Sequence, residues 1–75
     1  MDIDNFVNGI KEGRTVTLAC SRYEQYFWYK DGRFYTNYED GINERPPKEV
    51  TESYVRRDIS IAIHHPECWD VYFDI

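Results

Sequence analysis

The chain has 75 residues, 17% of them aromatic, and a formal charge of −5. That is enough for one small α+β domain, and at this size a fold buries only about 60% of the surface its unfolded chain exposes. No apolar run approaches the roughly 18 residues that a membrane-spanning helix needs, and the acidic balance disfavours direct contact with nucleic acid or anionic membranes.

The charge is unevenly spread. Residues 1–57 hold all nine Lys and Arg against ten acids, while residues 58–75 hold Asp58, Glu67, Asp70 and Asp74 and no basic residue. A surface of this kind steers the protein toward basic partners. The opening Met1-Asp2-Ile3-Asp4 is acidic and lacks the apolar core of a signal peptide, so the expected location is cytoplasmic, that is, inside the host cell. In that reducing setting Cys20 and Cys68 are read as free thiols.

In "DIDNFVNGIKEG", Ile3, Phe6, Val7 and Ile10 recur at i, i+3, i+4 and i+7, the stripe of an amphipathic helix. Asp2 or Asp4 suits its N-cap, and Gly13 suits the position just past its end. The expected helix covers residues 3–12.

"RTVTLAC" alternates Val16, Leu18 and Cys20 with Thr15, Thr17 and Ala19, which predicts a strand over 15–22. Then comes "FWYKDGRFY", whose Asp31-Gly32 pair is a two-residue hairpin signal because a type I′ turn needs positive φ at both central positions. Strands are expected over 25–30 and 33–38. The turn sets the register: Lys30 opposite Arg33, Tyr29 opposite Phe34, Trp28 opposite Tyr35 and Phe27 opposite Thr36. Alternation then puts Phe27, Tyr29, Phe34 and Tyr38 on one face, read as the core. Tyr26, Trp28 and Tyr35 lie on the other, flanked by Lys30 and Arg33. Trp and Tyr are enriched at binding hot spots, so Trp28 and Tyr35 are candidate contact residues.

"NYEDGINERPP" reads as a loop by its Asn, Gly and Pro content, acidic through Glu39, Asp40 and Glu44, with Pro47 able to open a helix at its first position. "KEVTESYVRRDISIAIHH" predicts a helix over 48–64, with Val55, Ile59, Ala62 and Ile63 on its apolar face and Glu49, Ser53, Arg56, Ser60 and His64 opposite. The alternative makes 58–64 a strand paired with 69–75. "CWDVYFDI" alternates again, which predicts a strand over 69–75 with Trp69, Val71, Phe73 and Ile75 on one face and Asp70, Tyr72 and Asp74 on the other. The expected fold is one domain over residues 1–75, in the order αβββαβ, with an antiparallel sheet covered by two helices on one face.

"HHPEC" offers His64, His65 and Cys68, with Cys20 as a fourth possible ligand, but zinc spacings come as paired halves and this is one half. Cys68 with a histidine and Glu67 holds the atoms of a cysteine hydrolase, yet the three lie almost consecutively in a chain too short to offer much of a pocket. The expectation is therefore no catalysis, no metal and no cofactor. What remains is display. Asp70, Tyr72 and Asp74 point the same way at a spacing of about 6.5–7 Å, of the order of the charge spacing along nucleic acid.

The order helix, meander, acidic loop, helix resembles small phage-encoded anti-CRISPR proteins that block a DNA-cutting effector by imitating DNA. The likeness lies in "MDIDNFVNGIK" followed by "TVTL", and in "KDG" followed by "NYEDGINE", about half of the chain. The resemblance implies that Glu39, Asp40 and Glu44 engage a basic, DNA-reading groove. The expected protein is thus a stoichiometric inhibitor, monomeric or weakly dimeric. It binds a nucleic-acid-handling host defence protein through Glu39, Asp40, Glu44, Asp70, Tyr72, Asp74, Trp28 and Tyr35. The alternative is a phage assembly or interaction module that binds through the Tyr/Trp face alone.

Overall fold

Asp2 caps the first helix, α1 (Ile3–Lys11), its carboxylate accepting the Asp4 N–H at 3.0 Å. The computed structural model describes residues 2–21, 23–39 and 46–74. Gly13, at φ +101°, ends α1: its N–H donates to the Ile10 carbonyl and that of Arg14 to the Gly9 carbonyl, both at 3.0 Å. A residue in the left-handed conformation is what such a stop requires.

Three antiparallel strands follow as a meander: β1 (Val16–Cys20), β2 (Tyr23–Lys30) and β3 (Arg33–Glu39). Asp31 and Gly32 both have positive φ, and the four pairings expected from that turn are all present. A short β4 (Lys48–Val50) then pairs with β3, and α2 (Glu52–Ile63) leads to β5 (Asp70–Phe73), which pairs with β1. The result is an α+β domain with two helices and a five-stranded antiparallel sheet of order β4-β3-β2-β1-β5.

The expected fold class holds, with corrections at its boundaries. The second helix begins at 52 instead of 48: residues 48–50, including Glu49, lie in the sheet, and Pro47 precedes a strand. Two local facts explain this. Val50 faces Phe34 across the β3–β4 pair and packs against the core, and the Thr51 side chain accepts the Tyr54 N–H at 3.1 Å, capping the helix there. Residues 58–63 are helical, which removes the strand alternative. The first and last strands are shorter than expected, at 16–20 and 70–73.

Both helices lie on one side of the sheet. Phe6, Val7 and Ile10 of α1 and Val55, Ile59 and Ala62 of α2 form one buried cluster with Val16, Leu18, Phe27 and Phe34. Gly9 lets α1 approach β5: a Cβ there would sit 2.5 Å from Phe73 Cζ. The Phe73 ring also meets Phe6, centroids 5.1 Å apart, and the Arg14 guanidinium 3.7 Å from its centroid. Ion pairs tie the helices together, with Glu52 joined to Lys11 at 2.7 Å and Arg56 bridging Glu52 at 3.0 Å and Asp4 at 2.5 Å.

Candidate protein-binding face

The register decides what the opposite side of the sheet displays. Strand alternation sends Glu24, Tyr26, Trp28 and Lys30 of β2 there, with Arg33, Tyr35, Asn37 and Glu39 of β3, Thr17 and Ala19 of β1, Glu49 of β4, and Asp70 and Tyr72 of β5. Among the described residues, no helix covers this face.

The face is zoned in rows that run across the strands. At one end Glu39 pairs with Glu24, Glu24 with Ala19, and Ala19 with Asp70. Three carboxylates therefore share one row, at strand spacings of about 4.8 Å. The next row is Asn37, Tyr26, Thr17 and Tyr72. Beyond it lie Glu49, Tyr35 and Trp28, the last two stacked with centroids 6.0 Å apart. The hairpin end carries Lys30 and Arg33, with Arg33 held by Glu49 at 3.2 Å.

The acid row is under-neutralised. Glu24 and Glu39 face each other directly, an arrangement that costs stability for like charges. Their shared neighbour is the Tyr26 hydroxyl, which donates to Glu24 and lies 3.1 Å from Glu39. The hydrogen bond to Glu24, then burial and the bond to Glu39, push the Tyr26 phenol well above its ordinary value. It stays a donor, but it has one proton for two carboxylates.

Six of the residues expected to bind a partner meet on this face or at its edge. Trp28 and Tyr35 are half-buried, Glu39 and Asp70 are exposed, and Tyr72 is 44% exposed. Asp74, just past β5, is exposed but engaged: its carboxylate accepts the Thr17 hydroxyl and its N–H donates to the Thr15 carbonyl at 2.8 Å. Asp40 and Glu44 lie outside the described residues. Glu24 adds to the expected residues of this face, on which strand alternation had already placed Tyr26. The signal for Glu24 was available, because extending the hairpin register by four pairs beyond Trp28–Tyr35 puts residue 24 opposite residue 39.

The residues of "HHPEC" do not assemble. His65 Nδ1 lies 3.2 Å from Glu67, His64 turns back on the Ser60 carbonyl at 2.7 Å, and Cys20 and Cys68 are free thiols. Among the described residues, no three His, Cys, Asp or Glu side chains converge as metal ligands would, and no helix is long and apolar enough to cross a membrane.

The fold and this face define a class: a small α+β domain whose helices close one side of an antiparallel sheet and leave the other as an acidic, ring-bearing surface. No protein-family model, curated protein or solved structure matches the chain.

Proposed function

We propose that the protein is a non-catalytic inhibitor that binds a basic, nucleic-acid-handling host defence protein one to one and covers its DNA-binding surface, in the manner of the phage-encoded anti-CRISPR proteins it resembles. The observation that supports this reading is the convergence of Glu24, Glu39 and Asp70 in one row beside Tyr26, Trp28, Tyr35 and Tyr72 on an uncovered face. Arg and Lys of a DNA-binding surface fit such a face: they pair with the carboxylates and lay their cationic groups on the rings.

The test uses the immobilised protein to capture its partner from lysate of the host cell, followed by competition with labelled DNA at low and high salt. The expected result is displacement of DNA, stronger at low salt because exposed charges are screened beyond about 10 Å at 0.1 M. Glu39→Lys with Asp70→Lys abolishes displacement and leaves the melting temperature unchanged or higher. A ternary complex of partner, DNA and protein overturns the occlusion reading. The Trp28–Tyr35 stack and exposed Tyr72 favour a second reading, an assembly module gripped by the rings. In that case Trp28→Ala eliminates capture and the double charge reversal does not.

A further inference from the structure

The helix-covered side of the sheet is not closed along its whole length. Where β1 turns into β2, a cleft of about 380 Å³ opens between α2 and the sheet, lined by Cys20, Tyr23, Tyr38, Asp58, Ile61 and Trp69 among others. We propose that this cleft receives the ammonium group of a lysine side chain presented by a partner protein, with Tyr23, Tyr38 and Trp69 as its aromatic walls and Asp58 as counter-ion.

The rings come from three separate segments and meet at angles. Tyr23 lies 5.7 Å from Tyr38 at 42° and 5.8 Å from Trp69 at 85°. Rings inclined to one another can turn more than one π-face toward a compact charge, whereas a planar guanidinium stacks on one ring at a time. An apolar guest is disfavoured by Asp58. Its side chain is 17% exposed, and a guest with no donor would cover the acceptor positions that Gln25 and Arg57 leave open, which is costly.

Asp58 is held in place but not saturated. Gln25 Nε2, itself fixed to the Thr36 hydroxyl at 3.2 Å, donates to Asp58 Oδ2 at 3.0 Å. The exposed Arg57 reaches Oδ1 from the solvent side at 3.3 Å, its guanidinium carbon lying 4.7 Å from the centre of the Tyr54 ring. A carboxylate offers about four acceptor positions, so roughly half remain for an incoming ammonium. Ile61, 50% exposed, borders the cleft and identifies the occupant's source. A free small cation leaves that apolar rim uncovered, while a lysine on a protein surface brings neighbours that cover it.

The cleft is independent of the sheet's open face, and its test needs no partner. Nα-acetyl-lysine methylamide is titrated into ¹⁵N-labelled protein, and the two indole N–H signals are assigned by Trp28→Phe. The expected result is a saturable shift of the Trp69 indole with the Trp28 indole unmoved. It should be at least about tenfold weaker for Asp58→Asn, which keeps an acceptor for Gln25, and absent for the neutral norleucine analogue on the unaltered protein. Equal binding of the norleucine compound overturns the proposal, as does the lack of any Trp69 shift up to about 0.1 M lysine amide. Choline binding tighter than the lysine amide overturns the assignment to a partner's lysine and makes the occupant a free quaternary ammonium compound.

Discussion

Gly9 is placed where a side chain would cost more than it gives. Alanine is the better helix former by about 1 kcal/mol, but its Cβ would press into the Phe73 ring, and overpacking of this kind costs roughly 1–3 kcal/mol. Gly9→Ala should therefore lower stability in urea titrations in spite of the gain in helix propensity. Phe34 is 6% exposed within the core cluster. Truncating it should cost about 3–5 kcal/mol, near the total stability of a domain at the low end of the usual range of about 5–15 kcal/mol, so Phe34→Ala should be unfolded at 37 °C by near-ultraviolet circular dichroism. Glu39→Lys should act in the opposite sense. It turns the facing Glu24–Glu39 pair into an attractive one, and cross-strand pairs are worth about 0.2–1 kcal/mol. A small rise in melting temperature coupled with loss of partner binding would mark Glu39 as held for function against stability. Much at this scale was legible in advance. Period-two alternation identified Phe27 and Phe34 as core, and the Asp-Gly turn gave the four hairpin pairs nearest to it. Gln25 was not foreseen: it sits at an inward position of the same alternation, and only α2, later in the chain, supplies the Asp58 that makes a buried amide acceptable there.

At the scale of elements, the instructive place is the entry to α2. The helical period over 48–64 is real from Val55 onward, but residues 48–50 answer to an edge of the sheet that no local pattern announces. A three-residue strand carries too few alternations to be told from the first turn of a helix, and its partner, Phe34, is 16 residues earlier than Val50. Thr51 was the available signal, since a threonine ahead of Glu52 is a favoured N-cap. Thr51→Ala should cost about 0.5–2 kcal/mol, read as a lower melting temperature with an unchanged denaturant slope. Glu52 reports on the same corner by pH. Its hydrogen bonds to Lys11 first, and then to Arg56, hold its carboxyl below the ordinary glutamate range. A folded-state pKa depressed in this way contributes stability that is present above the unfolded value, about 4.3, and is lost as pH falls through the folded value. The side chain is 39% exposed, so the effect is under about 1 kcal/mol after solvent screening. Glu52→Gln should show a correspondingly shallower loss of stability below about pH 4.3 and little pH dependence of its difference from wild type above pH 6.

For the whole molecule, the sheet separates two jobs. One side carries the apolar positions and both helices; the other carries acids, rings and, at the hairpin end, a basic pair. Along the chain the acids form a line on the last strand and a cluster after the hairpin. The structure brings Glu39 and Asp70, one from each group, into a row across the strands with Glu24, because β5 pairs with β1 and not with β3. Strand order was the quantity no single stretch contained: it places Asp70 two strands from Glu24, about 10 Å away, though 46 positions separate them in the chain. Among the described residues, helix covers nine and twelve positions of the 75-residue chain, so far-ultraviolet circular dichroism should show a little over a quarter helix beside a dominant sheet signal. A helical content above a third would restore the longer second helix.

The pairing of β1 with β5 also has a temporal side. Neighbours in the β1–β2–β3 meander are joined by tight turns, whereas Thr17 and Asp74, which meet at the last strand, are 57 residues apart. Closing so long a loop is entropically slower than forming local hairpins, so the meander should assemble early and β5 should dock late. Val71→Ala should then accelerate unfolding and barely change refolding, while Phe27→Leu slows refolding, as stopped-flow measurements can separate. Because Asp70 and Tyr72 ride on that late strand, the open face is complete only while β5 is latched. A partner that grips the acid row acts as a clasp on the last piece to arrive, and its binding should slow amide exchange at β5 more than anywhere in the meander.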